Sequence, residues 1–467
     1  MWYCLFIDKQ NLKQNFYDQK SKTQINYNEQ NQEYYLEPEI LPLTPTLITM
    51  NRNEIPKTNL PWYFKDGTIR PTRARILPKS NVRTSQVWPE EQIDSDRVED
   101  QLMFIPPRYQ YDNAPIKTIL LYNNWNNWKV SVGQGGFVPN NCPVNRCVIT
   151  TNRSEASNVD AIIFRNEFSH PGHKNTDKQV WIMLVTESAY YMKFDVDQSI
   201  VYWTATYRHD SDIVVPYGRW AYYNPSITQI GHLTRNYAKN KTKKVAMIVS
   251  NCHTDNDRLE YANELSKYIS VDIYGKCGQF KTIKTNRIDR FIEMLDRDYK
   301  FYLAFENSNC IDYVTGQFFV KGLQYGMLPI VMGGRQEDYE RIAPEKSYVH
   351  VGNFESPARL AEYLHRLDAD DGLYNEYFRW KGTGEFIDTK FFCRLCAMLH
   401  DDGVRARGHR NFSDWWSGPG VCEQSVRPWT MAVDDAEDGE DDEVSSSQLD
   451  SSAGDDTDND TDDENAD

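Results

Sequence analysis

Apolar runs and amphipathic stretches alternate in two successive blocks, one beginning near Ile116 and the other at Lys244. In the first block, residues 118–122, 148–151, 161–164 and Val180–Val185 are short, nearly continuous apolar runs. Runs of this kind, rich in β-branched and large side chains, predict strands buried on both faces. In the second block, residues 245–249 and Val271–Tyr274 predict strands. Between them, residues 257–268 predict an amphipathic helix with Leu259, Leu265 and Tyr268 as its apolar positions. A further helix is predicted around residues 288–295. Residues 301–305 then predict a strand, 306–313 a polar turn, Thr315 a helix start and Leu328–Met332 another strand. Helix N-termini in such strand–helix–strand units bind phosphate. Strands alternating with helices predict parallel sheets. The expected fold is α/β, with two facing Rossmann-like domains joined near residues 233–243 and ligands held in the crevice beyond the C-terminal strand ends.

The flanks differ in character. Residues 9–33 are rich in Asn, Gln and Lys without apolar periodicity and read as a spacer. Residues 36–110 carry Pro45, Pro61, Pro71, Pro78, Pro89, Pro106 and Pro107, which predicts an extended segment pinned by Trp62, Tyr63 and Trp88. The expected organisation is an extended, stem-like segment at 1–112 and an N-terminal Rossmann-like domain at 113–235. A C-terminal Rossmann-like domain follows at 243–400, then a Cys- and Trp-containing segment at 401–432 and an acidic tail at 433–467.

Charge changes the picture only at the C-terminus. The net charge is −16, but residues 433–467 hold 17 acids and no Lys or Arg, leaving 51 acids against 52 bases elsewhere. A tail rich in Asp and Ser and poor in aromatics is expected to be disordered. Nothing is basic enough to suggest nucleic acid. No apolar run reaches the roughly 18 residues of a membrane helix, and residues 1–7 are too short for a signal peptide. Asn152, Asn240, Asn411 and Asn459 each open an N-glycosylation triplet. Setting Cys4 aside, eight cysteines remain, and Cys393 and Cys396 form a CxxC pair with no partner pair at zinc spacing. Disulfides in an oxidising compartment are expected rather than metal, with pairing left open and reduced core thiols as the alternative.

Candidate chemistry sits at strand ends. Ser250 and Asn251 lead into a polar loop and then Arg258 at a helix start, an arrangement suited to a diphosphate or simply a surface Arg. Glu306-Asn307-Ser308 can hold sugar hydroxyls or form a turn bonded to its own backbone. Glu187 follows the clearest strand, where a carboxylate facing a crevice can act as a general base; an exposed strand-end Glu is the alternative. Residues 202–218 are dense in aromatics and charges, and Arg208 there suggests an ion-pair network with Asp210 or Asp212.

With these residues assembled, the chain resembles the inverting α1,3-fucosyltransferases, most of all the invertebrate and plant branch that modifies the N-glycan core. The stretches that carry the resemblance include PWYFKDG, WPEE, SDRVEDQLMFIPP, CPVNRCVITTNR, WTATYRHDSDIVVPYG, VSNC, VDIYGKCG, FYLAFENSNC, LPIVMGG, YFRWKGTGEF, CRLC and DWWSGPGVC, in family order between about residues 60 and 425. The resemblance implies a GT-B fold and GDP-fucose as donor. It implies Glu187 as the base that deprotonates the acceptor hydroxyl and Arg258 as the pyrophosphate ligand. Tyr217, Ser250, Tyr302, Glu306, Asn307, Tyr313 and Gln317 would line the donor site. No metal ligand is assigned and no cofactor is required, though manganese can stimulate such enzymes. The acceptor would be the innermost GlcNAc of an N-glycan on a glycoprotein. The setting would be the Golgi lumen, at a membrane reached through an anchor not present in this sequence.

One place departs from the family. Where Glu-Lys is usual after Thr315, this chain has Gly316-Gln317. Gln317 can donate a hydrogen bond but brings no charge, and Lys321, one turn on, reads as a solvated side chain. Two alternatives follow: a fucosyltransferase-fold protein that binds glycans with impaired catalysis, and an enzyme acting on antenna N-acetyllactosamine.

Overall fold

A computed structural model describes residues 59–77, 84–123, 128, 130–173, 179–194, 202–280, 288–401 and 411–423. The spacer at 9–33 and the acidic tail lie outside them. The chain divides into a unit at Met1–Val426 and another at Arg427–Asp467, and every described residue lies in the first.

A short helix, α1 (Val98–Leu102), precedes the first sheet. Strands β1 (Lys117–Leu121), β2 (Cys147–Thr150), β3 (Ala161–Arg165), β4 (Val180–Val185) and β5 (Tyr202–Thr206) form a parallel sheet of order β2-β1-β3-β4-β5. A short strand, β6 (Trp220–Tyr222), leads out of it. Next come β7 (Lys243–Ile248), β8 (Val271–Tyr274), β9 (Tyr299–Phe305), β10 (Asn309–Cys310), β11 (Leu328–Met332) and β12 (Val349–His350). Five of these make a second parallel sheet of order β12-β11-β9-β7-β8. β9 is central there and buried at every position, as a strand covered on both faces must be. The two five-stranded parallel sheets give the expected α/β architecture with paired Rossmann-like halves.

Helices α2 (Arg258–Leu265) and α3 (Ile288–Asp298) fall where the periodicity predicts them. After β9, however, the chain forms a π-helix over Gln317–Leu323, with Gly316 rather than Thr315 at its N-cap. α4 (Gln336–Ile342), α5 (Pro357–Ala369) and α6 (Asp371–Glu376) follow. Strand β13 (Gly384–Phe386) pairs antiparallel with β6. The last elements are α7 (Phe391–Leu399), α8 (Phe412–Ser417) and β14 (Cys422–Glu423), which pairs with β10.

Two features differ from the expected organisation. The proline-bearing segment is built into the body: Leu60, Trp62, Tyr63, Trp88, Val98, Leu102 and Tyr109 share one core with β1 and β3. Helix α7 belongs to that same core, although a boundary at 400 groups it with the second sheet. The CxxC pair lies on α7 and fixes it there, through Cys142–Cys393 and Cys147–Cys396. Cys252–Cys277 joins the loop after β7 to the segment after β8, and Cys310–Cys422 ties β10 to β14. All eight cysteines among the described residues are thus disulfide-bonded. Among the described residues, no helix is long and apolar enough to cross a membrane.

Candidate active site

The C-terminal ends of β4 and β9 meet. Residues 186–188 leave β4, and 306–308 leave β9. The Ser188 and Ser308 hydroxyls bond each other, and Tyr191 Oη donates to the Asn307 carbonyl at 3.4 Å. Thr186 is held by Asn166, whose Oδ1 accepts its backbone N–H at 3.0 Å, and its carbonyl accepts the Tyr217 hydroxyl. Glu187 is half-buried at this junction. Its Oε1 accepts from Tyr313 Oη and from the Ser188 backbone N–H, both at 2.9 Å. Its Oε2 makes no hydrogen bond among the described residues. Tyr313 is fully buried, and burial first, then the Glu187 charge, push its pKa well above the usual value. It therefore keeps its proton and acts on Glu187 only as a donor.

Behind this junction the donor-side residues form a buried polar group. Arg258 is 0% exposed; it donates to the Phe305 carbonyl at 3.0 Å and the Asn251 carbonyl at 3.1 Å, tying the end of β9 to the loop after β7. Asn256 donates to the Glu306 carbonyl at 2.9 Å and to Asn309 Oδ1 at 3.2 Å. Glu306 is 0% exposed; its Oε1 accepts the Thr315 N–H at 3.2 Å, while Oε2 is buried without a hydrogen bond among the described residues. Burial raises its pKa well above the carboxylate range, against the opposing effects of the Thr315 N–H and the Arg258 charge. Asn307 is buried, and its Oδ1 accepts the Ser308 hydroxyl at 3.1 Å. Ser250 is half-buried at the end of the segment that leads out of β7.

A third cluster lies alongside. Tyr302, in the middle of β9, donates to Gln317 Oε1 at 2.6 Å, and Lys321 Nζ donates to the same oxygen at 2.5 Å. Gln317 is 2% exposed and Lys321 is half-buried.

With this geometry in view, comparison with known proteins is decisive. The glycosyltransferase family 10 (fucosyltransferase) C-terminal model matches residues 238–415, and the fucosyltransferase N-terminal model matches residues 114–218. The chain is 46% identical over 388 residues to glycoprotein 3-alpha-L-fucosyltransferase A of Drosophila melanogaster, across 81% of this chain and 76% of that protein. This chain belongs to glycosyltransferase family 10, the fucosyltransferases. Its similarity to another member, α-(1,3)-fucosyltransferase C of the same organism, is 34% identity over 339 residues, across 64% of this chain and 77% of that protein. A crystal structure of an α1,3-fucosyltransferase with GDP aligns more remotely, at 15% identity and TM-score 0.43 over 68% of this chain and 98% of that one.

Sequence reasoning missed a charge network that runs through Asp312, next to Tyr313. Asp312 accepts from the His209 backbone N–H at 2.8 Å, and the His209 ring meets the same oxygen. Arg341 donates to Asp312 at 2.7 Å and to Asp338 at 3.2 Å. This buried charge network joins the loop after β5 to the segment after β10 and to α4. Arg208 pairs with Asp210, as expected, and lies over the Trp415 ring at 4.3 Å. Asp212 instead accepts from the Thr204 N–H at 2.7 Å. No spacing rule links residue 209 to 312 or 338. The signal present was compositional: charged residues inside apolar surroundings, which require partners.

Proposed function

We propose that this chain transfers fucose from GDP-fucose to O3 of the innermost GlcNAc of N-glycans, with inversion of configuration. The observation that carries the reading is Glu187: a half-buried carboxylate at the C-terminal end of β4, held by Tyr313 from the other half, with one oxygen left for a substrate. The acceptor oxygen attacks the anomeric carbon from the face opposite GDP, through an oxocarbenium-like transition state. Glu187 removes the acceptor proton as the new bond forms. The C–O bond to GDP breaks, and N–H and cationic groups stabilise charge on the departing diphosphate. Glu306, whose carboxyl is pushed upward by burial, and Asn307 are the groups proposed to meet donor hydroxyls. The reaction as proposed needs no obligatory metal.

The 46% identity to an enzyme named as a glycoprotein 3-alpha-L-fucosyltransferase supports a glycoprotein as acceptor. Four disulfides support an oxidising compartment, and the Golgi lumen is the proposed location. The test is incubation of the full chain with GDP-fucose and an N-glycan with an unsubstituted chitobiose core, in parallel with N-acetyllactosamine, with and without EDTA. Product mapped to O3 of the innermost GlcNAc is expected, with EDTA leaving the rate unchanged. Transfer to N-acetyllactosamine alone would overturn the acceptor assignment. Absence of transfer to either sugar by folded protein would overturn the enzymatic one.

A further inference from the structure

A nucleotide-sugar donor brings a diphosphate whose negative charge grows as the glycosidic bond breaks, so the cleft must present positive charge to it. Arg258 is the cation that the sequence points to first. In the structure it is fully buried, and its two terminal nitrogens reach backbone carbonyls, of Phe305 and Asn251. Those two contacts lock the β9 exit to the loop after β7. Gln317, which stands where the family usually carries a lysine, is neutral.

We propose that Lys321 supplies the cationic contact to the donor diphosphate in this chain and at the same time sets the direction of the Gln317 amide. The proposal rests on the GDP-fucose reading above. An ammonium can only donate. Its approach to Gln317 at 2.5 Å therefore identifies the contacted end of that amide as the oxygen, and Tyr302 Oη delivers a second donor to the same atom at 2.6 Å. With both donors on Oε1, the Nε2 group is turned away from them as a donor in its own right. Residues 317 and 321 lie one helical turn apart on the same face, in a stretch wound as a π-helix, a geometry concentrated at functional sites. The lysine is half-buried rather than solvated, contrary to its reading from sequence. The Thr315 N–H, two residues before Gln317, donates to Glu306 Oε1 at 3.2 Å, which sets the start of this helix against the loop that leaves β9. Open α/β sheets bind their ligands at this end of the strands.

The experiment is calorimetric titration of the full chain with GDP and, separately, with guanosine. Lys321→Met is expected to weaken GDP binding by roughly ten- to a hundredfold, the range for loss of a charge-assisted bond, with guanosine binding unchanged. Gln317→Lys in the Lys321→Met background is expected to recover most of the loss, since it returns the charge one turn away. Lys321→Arg, which keeps the charge, is expected to retain GDP binding within about threefold. GDP affinity unchanged in Lys321→Met would overturn the proposal. So would an equal loss for GDP and guanosine, which marks a collapsed pocket rather than a missing charge. A wild-type chain that binds GDP no better than guanosine would overturn the donor reading itself, and the lysine assignment with it.

Discussion

Tyr313 and Glu187 are 126 positions apart in sequence and 2.9 Å apart in space, one from each half of the molecule. The tyrosine hydroxyl holds the carboxylate by a neutral-to-charged hydrogen bond, a contact that contributes about 1.5–3 kcal/mol. Glu187→Gln is expected to lower kcat by roughly 10²–10⁴, the usual contribution of general base catalysis, while GDP affinity stays at the wild-type value. Tyr313→Phe is expected to lower kcat by roughly tenfold to a hundredfold, since the base remains and only its placement suffers. Steady-state rates at saturating donor provide the check. A Glu187→Gln enzyme turning over within a factor of about three of wild type would remove Glu187 from the chemistry.

Gly333 follows β11 with φ +141, and a Cβ built there would stand 2.5 Å from the Glu306 Cβ. Both the backbone and the space exclude a side chain. Gly333→Ala is expected to cost roughly 1–3 kcal/mol of stability and to displace Glu306. Denaturant unfolding and GDP titration measure the two effects, which are expected to appear together.

Two disulfides clamp α7 onto the first sheet by closing segments of 251 and 249 residues. Loss of a native disulfide typically costs about 2–5 kcal/mol. Cys142→Ser with Cys393→Ser is expected to lower the melting temperature more than removal of Cys252–Cys277, which spans only 25 residues. Thermal scans under non-reducing conditions compare them; equal losses would contradict the loop-length argument.

Stability should depend on pH through the charge network between the halves. The Asp338 carboxyl is pushed up to about 7, by burial first and by Asp312 second. Burial would raise Asp312 too, but the hydrogen bond and charge of His209, together with Arg341, hold it below the usual range. An acid whose folded pKa lies above its unfolded value near 3.9 binds more protons when folded. The Asp338 contribution is therefore complete below about pH 4 and is lost as pH rises through about 7. The Asp312 contribution runs the other way: it is present above about pH 4 and lost as pH falls further. The melting temperature is expected to fall between about pH 5.5 and 8, and Asp338→Asn is expected to flatten that fall. An unchanged slope in Asp338→Asn would assign the pH dependence to other groups.

Much of the fold was legible because strands buried on both faces leave an unmistakable apolar signature. Val180–Val185, Val271–Tyr274 and Leu328–Met332 have the limits read from sequence, and β9 begins only two residues before the predicted run. β5 (Tyr-Trp-Thr-Ala-Thr) lacks the continuous apolar run of the other strands and is set in the sheet by pairing with β4. The segment after Thr315 read as an ordinary helix; its apolar content does not distinguish a π-helix, which differs in backbone winding rather than in which residues are buried.

The α/β class, two sheet-forming blocks, the residue types at the strand ends and the family resemblance are all readable along the chain. All of these depend on local order along the chain, where apolar period and strand-end position can be read directly. Tertiary structure alone decided the cysteine pairing, the return of α7 to the first half, the His209–Asp312–Asp338 network, and the meeting of Glu187 with Tyr313 and of Lys321 with Gln317 and Tyr302. The reason is geometric: such contacts join residues on separate strands, loops and helices, and whether a lysine is solvated or turned toward a buried amide depends on which surfaces close over it. That closure is set by the packing of the whole chain.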